Sequence, residues 1–168
     1  MKILTGDLNE LLMDGTLAAL QLPNAIKARA AFKLLKLPED QPGVRGIWVY
    51  GPPNTGKSHY VRHLEPELYL KAQNKWWDGY LGEPAVLIDD FDKKGEHLSH
   101  NLKLWADKWS CTGEIKGATI PLNFQRLYVT SNYRPDEIFD SADDDLLAAI
   151  QRRFKMKYLG EPYVDPRP

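Results

Sequence analysis

Cysteine is almost absent from this sequence: Cys111 stands alone among 168 residues. That excludes an intramolecular disulfide and a Cys-based zinc site, and it suits a reducing compartment. An excess of charge is missing too, since 22 Lys and Arg against 23 Asp and Glu leave a formal net charge of −1. No global field draws such a chain onto nucleic acid, so any binding of that kind needs a local basic patch or a central channel. Long apolar runs are also lacking. None approaches membrane-spanning length, and the first residues carry no secretory-signal pattern. The chain reads as a soluble, intracellular protein of one domain with at most a small appendage, large enough for a true core.

What is present is concentrated in one stretch, Gly51-Pro52-Pro53-Asn54-Thr55-Gly56-Lys57-Ser58. It follows the apolar run Ile47-Trp48-Val49-Tyr50 and precedes a segment able to continue as a helix, so G-x-x-x-x-G-K-[ST] occurs between a strand and a helix, as the pattern requires. Backbone N–H groups of a Gly-bounded loop, with the positive end of the next helix, make a concave anion site for phosphates. Lys57 is suited to neutralise the β- and γ-phosphates, and the Ser58 hydroxyl is a hard oxygen ligand for Mg²⁺. The expected ligand is a nucleoside triphosphate.

Two further strand tips carry polar groups. Ala85-Val86-Leu87-Ile88 runs into Asp89-Asp90, the pattern of a buried parallel strand with carboxylates at its C-terminal end, where ligands of open α/β sheets bind. Asp89 is placed to hold Mg²⁺ and Asp90 to orient or deprotonate an attacking water. Leu127-Tyr128-Val129-Thr130-Ser131 ends in Asn132, a candidate sensor of the γ-phosphate. Residues 154–159 read as a last strand.

The remaining segments carry weaker signals. Before residue 37, Leu8, Leu11, Leu12, Leu17, Leu20, Leu22, Ile26, Ala30, Phe32 and Leu35 suit short amphipathic helices, with Thr5 or Asp7 capping the first, Gly15 breaking it and Asn24 capping the next. These helices either pack on the main domain or form a collar between copies. Residues 38–46 read as a linker. Trp76-Trp77 reads as packing with a hydrogen-bonded indole; an aromatic platform for nucleic acid is the alternative. Residues 97–109 read as a helix on which His97 and His100 are surface groups. Residues 111–122 read as a hairpin with Lys116-Gly117 at its tip, either solvated surface or a finger gripping phosphate. Ser141 is expected to cap a helix over 142–153 that ends in Arg152-Arg153, which either complement the helix C-terminus or reach a neighbouring subunit's nucleotide. The proline-rich end, 161–168, reads as poorly ordered.

Taken in order, Gly-Pro-Pro-Asn-Thr-Gly-Lys-Ser, Lys-Trp-Trp-Asp-Gly-Tyr, Val-Leu-Ile-Asp-Asp-Phe, Thr-Gly-Glu-Ile-Lys-Gly-Ala-Thr-Ile-Pro, Val-Thr-Ser-Asn and Gln-Arg-Arg-Phe resemble the superfamily 3 helicase domain of replication-initiator (Rep) proteins of circular single-stranded DNA viruses, circovirus-like in particular. The likeness covers about residues 44–159. It implies an AAA+-related P-loop ATPase with a central, mostly parallel sheet over 43–160, preceded by a helical oligomerisation bundle over 1–42 and followed by a flexible tail over 161–168. It also implies a hexameric ring moving 3′ to 5′ on single-stranded DNA during rolling-circle replication in the host-cell nucleus, with ATP and Mg²⁺. By motif position, residues 51–58 (Gly51, Pro52, Pro53, Asn54, Thr55, Gly56, Lys57 and Ser58) would cradle the nucleotide. Asp89 and Asp90 would take the acidic roles, Asn132 the sensor role, Lys116 and Gly117 the DNA contact, and Arg152 or Arg153 the arginine finger. Family members carry an N-terminal endonuclease with a His-hydrophobe-His motif and a Tyr nucleophile. Nothing before Gly51 supplies them, so the chain reads as an excised or truncated helicase domain. Two other readings stay open, an ATP-regulated assembly module without motor activity and a small P-loop nucleotide kinase.

Overall fold

The computed structural model describes Ile3, residues 6–33 and residues 38–167. Thr5 and Leu35 lie outside the described residues, as do the side chains of Ala30 and Phe32. Two compact units form, Met1–Leu37 and Pro38–Pro168. Among the described residues no helix is long and apolar enough to cross a membrane.

In the first unit, α1 (Leu8–Met13) is capped by Asp7, whose Oδ1 accepts from the N–H groups of Asn9 at 2.7 Å and Glu10 at 3.1 Å. Gly15, at φ +76°, lets the chain turn away after the helix. A 3₁₀ turn, Ala19–Gln21, then feeds directly into α2 (Leu22–Lys33). Asn24 therefore lies inside α2 rather than capping it, and Pro23 occupies the first turn, where a missing N–H costs nothing. Leu11, Leu17 and Ala25 are buried together. Leu20 and Ile26, members of the same apolar pattern, are instead 94% and 51% exposed.

The second unit is an α/β domain. Its sheet holds β1 (Gly46–Tyr50), β2 (Leu68–Leu70), β3 (Ala85–Ile88), β6 (Arg126–Ser131) and β7 (Phe154–Tyr158), in the order β2-β3-β6-β1-β7. Every pairing is parallel. Helices α3 (Lys57–Leu64), α4 (Ser99–Trp105), α5 (Pro135–Ile138) and α6 (Asp144–Gln151) complete the domain. β3 is buried at each of its four residues, as a central strand covered on both faces must be. Since β1, β6 and β3 are parallel neighbours, residues that follow them leave at one edge of the sheet. A separate antiparallel hairpin pairs β4 (Cys111–Ile115) with β5 (Ala118–Leu122), turning at Lys116-Gly117 as expected.

Three expectations about segment ends need correction. The supposed linker 38–46 belongs to the second unit. Gln41 and Arg45 donate backbone bonds to the carbonyls of Lys108 and Ala106, each at 2.7 Å, and the Arg45 guanidinium is buried 5.1 Å from the Phe124 ring centroid. The expected helix over 97–109 is instead a 3₁₀ turn (Lys93–Leu98) followed by α4, and Trp109 lies beyond it, 57% exposed. Finally, α6 is capped by Asp143, whose Oδ1 accepts from Leu146 N–H at 2.6 Å. Ser141 donates instead to Glu96.

Trp77 is fully buried, stacked on Phe124 with centroids 5.4 Å apart and edge-on to Trp105 at 5.1 Å. The packing reading holds for it, but its indole N–H has no hydrogen-bond partner among the described residues. Beneath the P-loop helix, Glu65 is buried and accepts from Tyr128 Oη at 2.8 Å and from Arg126 Nη2 at 3.0 Å. Burial pushes the Tyr128 hydroxyl above its ordinary value, and the Glu65 bond adds to that. Glu65→Ala should cost about 2 kcal/mol in urea unfolding, as lost bonds to a charged group. The loss stays below that of a fully buried ion pair because Arg126 is 38% exposed and rehydrates.

Candidate active site

The loop after β1 is shaped by glycine where nothing else fits. Gly51 has φ +154°, and a Cβ there would lie 2.1 Å from the Leu159 carbonyl oxygen. Gly56, at φ +75°, turns the chain into α3. These turns aim the N-terminus of an eight-residue helix at a cleft of about 640 Å³ lined by Asn54, Lys57, Ser58, Asp90 and Asn132 among others.

Lys57 is only 6% exposed. Its Nζ donates to the carbonyls of Pro52 at 2.7 Å and Gly51 at 3.1 Å, and to Asn132 Oδ1 at 2.9 Å. Burial pushes this ammonium below its ordinary value, while the Asp90 and Asp89 carboxylates pull it back up. The lysine and the β6 tip are thus joined directly, although 75 residues separate them. Ser58 Oγ donates to Asp89 Oδ1 at 2.6 Å.

Thr130 is a residue that motif reading missed. Fully buried on β6, it donates from Oγ1 to Asp89 Oδ1 at 2.5 Å and accepts from Asp90 N–H at 2.9 Å. One hydroxyl therefore sets both acids. The register explains its position: Ile88 pairs with Val129, so the next residue of each strand is brought alongside. Asp90 is held at φ +50°, an uncommon conformation for a residue with a Cβ. Trp48 on β1 donates from its indole to the Tyr133 carbonyl at 2.9 Å, fixing the chain just past Asn132.

Elsewhere the arginines separate. Arg153 Nε lies 2.7 Å from Asp107 Oδ2, and its Nη1 donates to the Ala149 carbonyl at 2.7 Å. Arg152, the C-cap of α6, is exposed and its side chain has no partner among the described residues. The end of the chain has more contacts than its prolines promised. Tyr163 N–H donates to the Thr55 carbonyl at 2.9 Å, its ring meets His59, Tyr60 and His63, and Asp165 Oδ1 lies 2.9 Å from His63 Nδ1. Residues 161–167 thus dock beside the P-loop, contrary to the loose tail expected. The signal was there in Tyr163, an aromatic that a solvated tail has no use for.

Lys116 is exposed at the hairpin turn, and Gly117 has φ +85° with open space around it. A parallel sheet with a phosphate-type loop, two acids and an asparagine on three adjacent strand tips is the architecture of the P-loop fold class. Comparison with known proteins narrows this. A family model described as RNA helicase matches residues 47–133, just over half of the chain, and the chain belongs to that family as a Rep-like superfamily 3 helicase domain. The replication-associated protein of Porcine circovirus 1 is 39% identical over 108 residues, 62% of this chain and 34% of that protein. That of Beak and feather disease virus is 34% identical over 97 residues, 58% and 32% respectively. That of Human associated cyclovirus 1 is 30% identical over 123 residues, 68% and 42%. The chain spans about a third of the length of the circovirus relatives.

Proposed function

We propose that this chain is the ATP-hydrolysing motor domain of a viral rolling-circle replication initiator, acting in the host nucleus as a hexameric ring that moves 3′ to 5′ on single-stranded DNA. The observation that carries the reading is that Lys57, Ser58, Asp90 and Asn132 line one cleft, with Asp89 held against Ser58 by a hydrogen bond. Water attacks the γ-phosphorus while the bond to the β,γ-bridging oxygen breaks, and ADP and phosphate leave. Loop N–H groups and Lys57 bind the phosphate oxygens on which charge develops. Asp90 orients the water and takes its proton. Asn132, tied to Lys57, positions the γ-phosphate.

The donor set fits magnesium: a serine hydroxyl and a carboxylate, both hard oxygens, already touch at 2.6 Å. Ser58 and Asp89 would hold the ion, which when bound offsets charge on the phosphates. Substrate and water would supply the remaining ligands.

Ring assembly is supported by Met13, Leu20 and Ile26, apolar and exposed on the helical unit, and by Arg152, exposed and without a side-chain partner among the described residues, as the candidate for a finger in trans. Phosphate release measured against protein concentration, with and without single-stranded DNA, tests the reading. Specific activity should rise with concentration and again with DNA. A flat response to both would point to a kinase or a static assembly module.

A further inference from the structure

Arg62 has no part in the hydrolysis just described, yet it faces one of the acids. It stands in the last turn of α3, one helical turn after Ser58 and so on the same side of the helix. A basic residue there also answers the negative end of the helix, as His63 beside it does. That role alone would leave the strand tips untouched. Arg62 Nη2, however, lies 3.9 Å from Asp89 Oδ2.

The two oxygens of Asp89 are used unequally. Oδ1 accepts from Ser58 Oγ at 2.6 Å and from Thr130 Oγ1 at 2.5 Å. A carboxylate oxygen offers two lone pairs, so hydroxyls of the chain itself fill Oδ1, and Oδ2 is the oxygen left to face a cation. Arg62 is the side chain that faces it. At 3.9 Å the contact is too long for a hydrogen bond, and charge alone holds it. Both partners reach solvent, with 32% of the Asp89 side chain and 48% of the Arg62 side chain exposed. The guanidinium can therefore move off without leaving a buried, uncompensated charge behind. Lys57 differs. It feels Asp90 and Asp89 as well, but loop carbonyls and Asn132 fix its ammonium in place. Arg62 has no other side-chain partner among the described residues, so it is the movable cation of the two.

We propose that Arg62 is a built-in competitor for the divalent cation: its guanidinium and the ion contend for Asp89 Oδ2, so the site takes metal weakly by itself and best together with the triphosphate. Two cations at one carboxylate oxygen repel, and a doubly charged ion feels that repulsion twice over. The negative charge of the triphosphate offsets it, which ties metal uptake to arrival of the substrate. Arg62 sets this affinity without touching phosphate or water. The inference rests on the reading of Ser58 and Asp89 as the metal ligands.

The test is binding of Mn²⁺ alone to the intact protein without nucleotide, read from the free-ion signal in electron paramagnetic resonance. Arg62→Gln keeps a polar group and drops the charge. It should bind Mn²⁺ roughly three- to tenfold more tightly than the parent, the scale of a half-exposed ion pair acting on a divalent ion. Arg62→Lys keeps the charge and should stay near the parent. Added KCl should narrow the gap between Arg62→Gln and the parent, because salt screens exposed charges. Equal affinity of Arg62→Gln and the parent overturns the competition. So does a gap that KCl leaves untouched, or an Arg62→Lys protein that follows Arg62→Gln. Asp89→Asn separates this inference from the reading beneath it and should lose Mn²⁺. Parent-level binding in Asp89→Asn, or failure of the parent and Arg62→Gln alike to bind, overturns the metal assignment and the inference with it.

Discussion

Lys57→Ala is expected to lose ATP turnover by at least on the order of 10²- to 10³-fold, the scale for removing one preorganised charge from a transition state. The side chain is almost wholly buried, and two loop carbonyls and the Asn132 amide oxygen fix its ammonium. Such a group needs no reorganisation when charge builds on the γ-phosphoryl oxygens. Lys57→Arg should fail nearly as badly. Carbonyls at 2.7 and 3.1 Å leave space for a compact ammonium but not for a planar fork. Both variants should still unfold cooperatively in urea, because the sheet and the Glu65 cluster are untouched. Steady-state phosphate release checks the prediction, and parent-level turnover in Lys57→Ala would remove the catalytic assignment.

What could be read from the residues was local in the chain. Gly51 to Ser58, the acids after Ile88 and the asparagine after Ser131 each announce themselves within a few positions, because a strand must end in a polar group before the chain turns. Their meeting also followed, since parallel neighbours put their ends on one edge. Thr130 did not show, because its role depends on which residue of β3 it pairs beside, a register that no local pattern carries. Helix boundaries hid other details. Trp109 lies past the end of α4, where Gln41 and Arg45 donate to the carbonyls of Lys108 and Ala106, and Asn24 ceases to be a cap because a 3₁₀ turn starts the helix earlier. The packing of Trp77 was legible from its size, whereas the lack of a partner for its indole N–H among the described residues follows from how rings and Lys71 close around it.

Adjacent arginines pose the same difficulty, and separating them makes the second prediction. From residue types, Arg152 and Arg153 are equivalent ends of one helix. In the fold Arg153 is committed within its own chain, to Asp107 across 46 residues and to the Ala149 carbonyl. Arg153→Ala should therefore lower stability by about 1–2 kcal/mol, the range for a partly buried, charge-assisted contact, with turnover retained below the unfolding transition. Among the described residues Arg152 is bound to nothing comparable, so Arg152→Ala should leave the unfolding midpoint in place. If its guanidinium completes a neighbour's site, turnover in the assembled state should fall on the order of 10³-fold or more. Mixing separates a trans role from a local one. Subunits with Arg152→Ala keep their own Lys57 and Asp89, and subunits with Asp89→Ala keep Arg152, so mixed rings contain sites with every part. Recovered phosphate release on mixing, absent from either variant alone, is the expected result. Full activity in Arg152→Ala, or recovery that requires Arg153 instead, would move the finger to the arginine that the fold has tied down and demand that Asp107 release it.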